Sequence, residues 1–363
     1  MEKPKVLVVE DSAFMRKLIT DFLTEDQTIH IVGYARNGKD AIDKIKALKP
    51  DVVTLDIEMP IMDGLEALKI IMNECPLPVI MLSSSTKFGT ENTILAMQYG
   101  AFDFIAKPSG SISLDLHKVK EELKEKITAA SKAKSSRLQI NATRTKQKLS
   151  ESPKYSNIES THFQSLVPKS FDNGNQKIIA IGTSTGGPRA LQTVLTNLPE
   201  TIGAPIVIVQ HMPPGFTKSL ANRLNSLSAI TVKEAEDDEI LHKGTAYIAP
   251  GGYHFKVIKK GGNLIAKMSI EEAVNGHRPS VDVLLESISA LENYSVICVI
   301  MTGMGNDGSK GLVALKEKRP TLSIAESEES SIVFGMPRAA IATNLVDDVE
   351  NVENIAQAIM KYC

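Results

Sequence analysis

The chain has 363 residues, 42% of them hydrophobic, with 43 acids against 41 bases and a formal net charge of −2. At roughly 100–200 residues per domain this gives two or three domains with cores to bury, which excludes a disordered chain, and the charge balance argues against a nucleic-acid binder. Cys75, Cys298 and Cys363 lie too far apart for a disulfide framework or structural zinc, no stretch of about 18 apolar residues is present to span a membrane, and the opening MEKPKVLVVEDS turns acidic too soon for a signal peptide, so a cytoplasmic protein is expected.

Five short apolar runs predict strands at Lys5–Val9, Ile29–Tyr34, Asp51–Leu55, Pro78–Leu82 and Phe102–Ala106. Each is rich in Val, Ile and Leu, as strands buried on both faces are. Helical periods separate them at Phe14–Leu23, Lys39–Leu48, Gly64–Met72 and Glu91–Gln98, and another follows at Leu114–Ile127. Such alternation predicts a doubly wound α/β domain with a parallel sheet, whose ligands sit at the carboxyl ends of the strands.

Glu10 and Asp11 close the first run, Asp56 the third, Ser83 and Ser84 the fourth, and Lys107-Pro108 the fifth. Three carboxylates at one sheet edge repel each other, and a hard divalent cation such as Mg²⁺ relieves this through oxygen ligands. A carboxylate is also a nucleophile towards phosphorus, with Mg²⁺ and a lysine neutralising the transferred group. A lone Asp56 would read as a helix cap or loop acid; the five features in order argue for a phosphoryl site.

This set resembles the receiver domain of two-component response regulators. The resemblance implies a flavodoxin-like fold, Asp56 as phosphoacceptor and a histidine kinase as phosphodonor. It implies Mg²⁺ bound through Asp11, Asp56 and the Glu58 carbonyl, with Glu10 acting through water. It implies Ser83 and Phe104 as switch residues and Lys107 as partner of the phosphoryl group. Lys107-Pro108 is a candidate cis bond.

Charge is uneven: residues 1–107 carry −4, residues 108–175 carry +5 and residues 176–363 carry −3. From Ile127 to Ser150 there is no acid, and lysines, serines, threonines and glutamines dominate. A flexible basic linker is expected over 126–175, between a receiver at 1–125 and a second domain at 176–363.

In that second domain, Lys177–Ile181 predicts a buried strand, followed by GTSTGG and then Pro188 at the first turn of a helix. The glycine-rich turn fits either a phosphate cradle or a G-x-S-x-G nucleophile turn around Ser184. A strand at Pro205–Val209 ends in Gln210-His211, where a histidine alone is more often packing. A strand at Val296–Met301 ends in TGMGNDG, where Asp307 alone reads as a helix cap. Together the three strand ends carry a serine, a histidine and an aspartate. Histidine takes a serine proton only when a carboxylate holds its ring and supports its charge. The chain order Ser…His…Asp differs from the Ser…Asp/Glu…His of the α/β-hydrolases. A dinucleotide site is disfavoured because the turn is not G-x-G-x-x-G and no acid ends the second strand.

GTSTGGP, QHMPPGFT, AYIAPGGYH, HRPSVDVL and TGMGNDG resemble the motifs of the chemotaxis protein-glutamate methylesterase (CheB) family, a receiver joined by a linker to a methylesterase domain. The resemblance implies two doubly wound parallel-sheet domains, the second Rossmann-like. It implies Ser184 as nucleophile, His211 as general base, Asp307 as its orienting carboxylate and the Met304 N–H as oxyanion donor. The implied activity is phosphorylation-activated hydrolysis of glutamyl methyl esters, and deamidation of glutamines, on chemoreceptors, with no esterase cofactor. The expected state is a monomer. His254 lies in GGYHFKVI, with strand alternation after it, and His277-Arg278 precede a helix expected from about Ser280, where they either line the cleft or serve the helix start.

Overall fold

The structure, a computed structural model, describes residues 3–25, 28–108, 113–133 and 175–363. The first domain alternates β1 (Lys5–Val9), α1 (Ala13–Thr24), β2 (His30–Ala35), α2 (Gly38–Leu48), β3 (Val52–Asp56), α3 (Gly64–Glu74), β4 (Val79–Ser83), α4 (Lys87–Gln98), β5 (Asp103–Ala106) and α5 (Ser113–Lys132). The sheet order is β2-β1-β3-β4-β5, parallel throughout. β3 and β4 are buried along their whole length, as central strands covered on both faces must be. Four helices start on side-chain caps: Ser12, Asn37, Asp63 and Thr86 accept from the N–H of Met15, Asp40, Glu66 and Gly89, each satisfying a donor that the first turn leaves unpaired. The caps fix where each loop ends, and so where the strand-end acids sit.

α5 runs to Lys132, beyond the boundary expected at 125. The remainder of the expected linker, from 134 to 174, lies outside the described residues. The cis peptide bond among the described residues is Arg278–Pro279, not Lys107–Pro108; Lys107 instead carries on the strand direction, its N–H donating to the Ser83 carbonyl at 2.7 Å.

The second domain follows with β6 (Gln176–Thr183), α6 (Gly187–Leu195), β7 (Ile206–Gln210), α7 (Phe216–Asn225), β8 (Thr231–Glu234), β9 (Thr245–Ile248), β10 (His254–Lys260), β11 (Asn263–Ser269), α8 (Val281–Ser289), β12 (Tyr294–Ile300), α9 (Ser309–Lys318), β13 (Thr321–Glu326), α10 (Met336–Ala342), β14 (Asp348–Glu350) and α11 (Val352–Met360). Seven strands form a parallel sheet in the order β14-β13-β12-β6-β7-β9-β8, and β10 and β11 form a separate antiparallel hairpin. β6 is the switch point: β7 pairs on one side of it and β12 on the other. Loops leaving adjacent strands towards opposite sides open a crevice there. The loops after β6, β7 and β12 are those carrying Ser184, His211 and Asp307. No helix among the described residues is long and apolar enough to cross a membrane.

Candidate functional site

At the carboxyl edge of the first sheet, ligand oxygens of Glu10, Asp11 and Asp56 lie within 4.8 Å of one another. Lys107 Nζ reaches 2.7 Å from Asp56 Oδ1 and 2.9 Å from Glu10 Oε2. Burial, and then the charge of Asp56, pushes Glu10 up to about 7; burial also raises Asp56. Glu10 Oε2 is buried, with the Lys107 ammonium as its neighbour. A buried carboxylate oxygen beside two more carboxylates fits a hard divalent cation. The Glu58 N–H donates to Asp56 Oδ1 at 3.4 Å, so this loop folds back over the acid. Ser83 Oγ is turned towards α4, donating to the Gly89 carbonyl at 3.1 Å and accepting from Thr93 Oγ1 at 2.6 Å.

In the second domain, Ser184 sits between β6 and α6, and its N–H donates to the Thr302 carbonyl at 3.0 Å. This bond ties the serine turn to the loop after β12. Two glycines permit the approach. A Cβ at Gly187 would meet Gln210 Oε1 at 1.9 Å, and one at Gly303 would meet Ser184 Cβ at 2.7 Å. His211 follows β7, and its Nε2 lies 2.8 Å from Asp307 Oδ2. Its Nδ1 is buried without a partner among the described residues. The Ser184 hydroxyl makes no hydrogen bond to His211 here; such bonds commonly tighten only with substrate in place. Met304 is half-buried, and its N–H donates to no backbone acceptor among the described residues.

Asp307 is 1% exposed. Burial alone would raise its carboxyl, but hydrogen bonding and charge from His211, then the Val281 and Asp282 N–H groups, hold it far below the usual range. Its Oδ2 accepts from Val281 N at 2.7 Å and its Oδ1 from Ser280 Oγ at 2.8 Å. A carboxylate so enclosed stays ionised and cannot rotate.

Several residues around the site escaped the sequence reading. Gln210 donates from Nε2 to the Ser184 and His211 carbonyls and accepts from Thr183 Oγ1, cross-linking two strand ends. Its position beside His211 was the available signal. Thr302 Oγ1 donates to the Thr185 carbonyl, and the Thr302 N–H to buried Glu326 Oε2. His277, a candidate cleft residue, stacks on His211 with centroids 3.8 Å apart. Arg278 instead bonds the Ile270 and Glu271 carbonyls, and His254 is fully buried.

The first domain rests against this edge. Phe104 stacks on Phe216 at 4.6 Å. Asp103 Oδ2 accepts from Thr185 Oγ1 at 2.6 Å, next to the serine. Arg223 donates twice to Gln98 Oε1, Gln98 donates to Gln192, and Thr90 meets Ser219 at 2.8 Å. Lys126 on α5 lies 3.3 Å from Asp103 and donates to the Phe104 carbonyl.

Fold and site together define a receiver domain coupled to a parallel α/β domain with serine, histidine and aspartate at one sheet edge. Residues 179–359 match the CheB methylesterase family and residues 6–117 the response regulator receiver domain. The chain is 55% identical over 361 residues to the "Protein-glutamate methylesterase/protein-glutamine glutaminase" of Geobacillus kaustophilus, covering 99% of each. It is 48% identical over 355 residues to the Bacillus subtilis protein of the same name, covering 98% of this chain and 97% of that one. The crystal structure of the Thermotoga maritima CheB methylesterase catalytic domain aligns with a TM-score of 0.50 at 43% identity, over 52% of this chain and 98% of that one. The chain belongs to the protein-glutamate methylesterase/protein-glutamine glutaminase family, as the sequence motifs implied.

Proposed function

We propose that the chain is a phosphorylation-activated serine hydrolase that demethylates glutamyl methyl esters, and deamidates selected glutamines, on chemoreceptors. The observation carrying this reading is the buried Asp307 carboxylate 2.8 Å from His211 Nε2, on the strand ends flanking Ser184. Ser184 Oγ attacks the ester carbonyl carbon while His211 takes its proton. With Nε2 engaged by Asp307, the base atom is Nδ1. The Met304 N–H donates to the oxyanion. Collapse breaks the bond to the methoxy oxygen, which receives the proton from His211 and leaves as methanol. Water then gives its proton to His211 and attacks the acyl carbon, and Ser184 leaves as the alcohol, releasing glutamate. With glutamine, ammonia leaves instead.

In the receiver, Asp56 is the phosphoacceptor, Lys107 pairs with the phosphoryl group, and Ser83 and Phe104 respond. Asp11, Asp56 and the Glu58 carbonyl, with Glu10 beside them, would hold Mg²⁺, which would supply charge neutralisation for the transfer. The receiver, carried through α5 to Lys132, and the hydrolase domain at 176–363 are joined by a linker and work as a cytoplasmic monomer. A chemotaxis histidine kinase supplies phosphate and methyl-accepting chemoreceptors supply the substrate. The receiver inhibits by covering the Ser184 edge through Asp103, Phe104 and α4.

Methanol release from methylated receptor membranes tests the reading. A small phosphodonor with Mg²⁺ should raise the rate, and Asp56→Asn should remove the rise and the acyl-phosphate label while keeping the basal rate. Label persisting in Asp56→Asn places the phosphoacceptor elsewhere, and no methanol release under either condition sinks the activity.

A further inference from the structure

The loop between β11 and α8 reaches the His211–Asp307 pair and is itself anchored. Val274 and His277 exchange backbone hydrogen bonds at 3.1 and 2.9 Å around Asn275 and Gly276, both in the left-handed region. Arg278 Nη1 donates to the Ile270 and Glu271 carbonyls, and His254 Nε2 lies 2.8 Å from the Glu272 carbonyl. Two side chains of this fixed turn reach the catalytic pair. Asn275 Nδ2 lies 3.0 Å from Asp307 Oδ1 and 2.8 Å from Asp282 Oδ2. The His277 ring lies face to face on His211, with 11° between the planes.

Asp282 and Asp307 are both buried, at 2% and 1% exposure. Two buried carboxylates sharing a donor repel unless each is separately satisfied. Asp282 Oδ1 accepts from the Gly308 and Gly311 N–H groups, capping α9. The amide of Asn275 has two hydrogens, one for each carboxylate. On Asp307 Oδ1 Asn275 joins Ser280 Oγ and the Asp282 N–H, while Oδ2 takes the Val281 N–H and His211 Nε2, an arrangement that sets the tautomer with Nδ1 free. The His277 ring fixes the plane of the imidazole and presents a π face to the imidazolium formed during the reaction.

We propose that Asn275 and His277 are positioning residues for the hydrolysis, Asn275 orienting the Asp307 carboxylate and His277 the His211 ring. The inference rests on the serine–histidine–aspartate reading above. Neither residue touches the scissile group; both act through the pair.

The test uses the full chain with phosphodonor and methylated receptor membranes. Asn275→Ala should lower kcat about 10- to 100-fold, the kinetic equivalent of one hydrogen bond to a charged group, with KM unchanged. His277→Ala should lower kcat about 10-fold or less, and His277→Phe, which keeps a flat ring, should recover most of it. The ¹⁵N shifts of His211 should report the Nε2–H tautomer in the wild type and a mixture in Asn275→Ala, a change that loosened packing alone does not make. Both side chains sit on a surface turn, so melting should hold; if Asn275→Ala melts early, the His277→Ala and His277→Phe pair decides. Wild-type kcat in both alanine variants, a loss confined to KM, or no tautomer change overturns the inference. Ser184→Ala runs alongside: activity surviving there fells the serine reading itself, whereas a silent Ser184→Ala with unimpaired Asn275→Ala and His277→Ala fells only the positioning role.

Discussion

Gln98→Ala removes a side chain that belongs to neither active site, yet it joins the two domains three times. Its Oε1 accepts from Arg223 Nε at 3.1 Å and Nη2 at 2.9 Å, and its Nε2 donates to Gln192 at 2.7 Å. The two guanidinium contacts act as one bidentate bond to a charged group, worth about 1.5–3 kcal/mol when buried. All three residues are half-buried, so water recovers part of that once the contact is lost. The net loss to the closed arrangement is about 1–1.5 kcal/mol, close to a tenfold shift in the open-to-closed ratio. Methanol release by the unphosphorylated chain should therefore rise several-fold, up to about tenfold where the open fraction is small. The phosphorylated variant should match phosphorylated wild type, since the contact is by then released. A Gln98→Ala protein with wild-type basal rate, normal melting and an intact phosphorylated ceiling would refute the occlusion argument.

Ser184→Ala and His211→Ala should each abolish ester hydrolysis with the fold intact, because the members of such a set act as a unit. Asp307→Asn should cost on the order of 10⁴-fold by leaving His211 in the wrong tautomer; steady-state methanol release and circular dichroism check all three. Residues 176–363 alone should be faster than the unphosphorylated whole protein and indifferent to phosphodonor, and a fragment no faster makes the receiver a positive element instead. Cys298 is fully buried in β12, and burial pushes its thiol up to about 12. Its thiolate is therefore negligible at pH 8, so a disulfide reagent should reach Cys75 and Cys363 first and Cys298 only after denaturant; three thiols reacting in the native protein would contradict this.

The parallel strands were legible because β1, β3, β4, β6, β7 and β12 are short Val/Ile/Leu runs, each followed by a loop with chemistry in it. The strands that escaped are those with little to bury or nothing distinctive after them. β14 is Asp-Val-Glu, paired only to β13 at the sheet edge, and β8 has a single buried residue. The hairpin of β10 and β11 left a trace in the alternation after His254 but no partner. Ser184, His211 and Asp307 could be read as one set because each lies in a loop that follows a buried strand. Asn275 and Gln210 act across the sheet edge on groups up to 32 residues away, and sequence spacing carries no record of that. The domain contact was illegible for a related reason. Both domains are acidic, so net charge gives them no reason to meet. The contact is built instead from one aromatic stack, paired amides and hydroxyls, and a single Asp103–Thr185 bond.

The position of these contacts bears on how phosphate would be felt at Ser184 under the proposed occlusion. Asp103 and Phe104 open β5, and Lys107 follows its end, so only Ile105 and Ala106 separate the Phe104 contact from the cation beside Asp56. Lys126 bonds the Phe104 carbonyl, lies 3.3 Å from Asp103 and sits 5.3 Å from the Phe104 ring centroid. A strand this short and this buried shifts as a unit, because close-packed interiors do not absorb displacement gradually. In the proposed switch, phosphate on Asp56 would add charge at Lys107 and draw the Ser83 hydroxyl from its bonds with Gly89 and Thr93. Phe104 would turn into the space vacated beside α4 and so leave Phe216. Losing the stack and the Thr185 bond together removes about 2–4 kcal/mol from the closed state. That exceeds the 1.4 kcal/mol needed for each tenfold change in the open population, so under the proposed occlusion a modest movement of one strand end would suffice to uncover the serine.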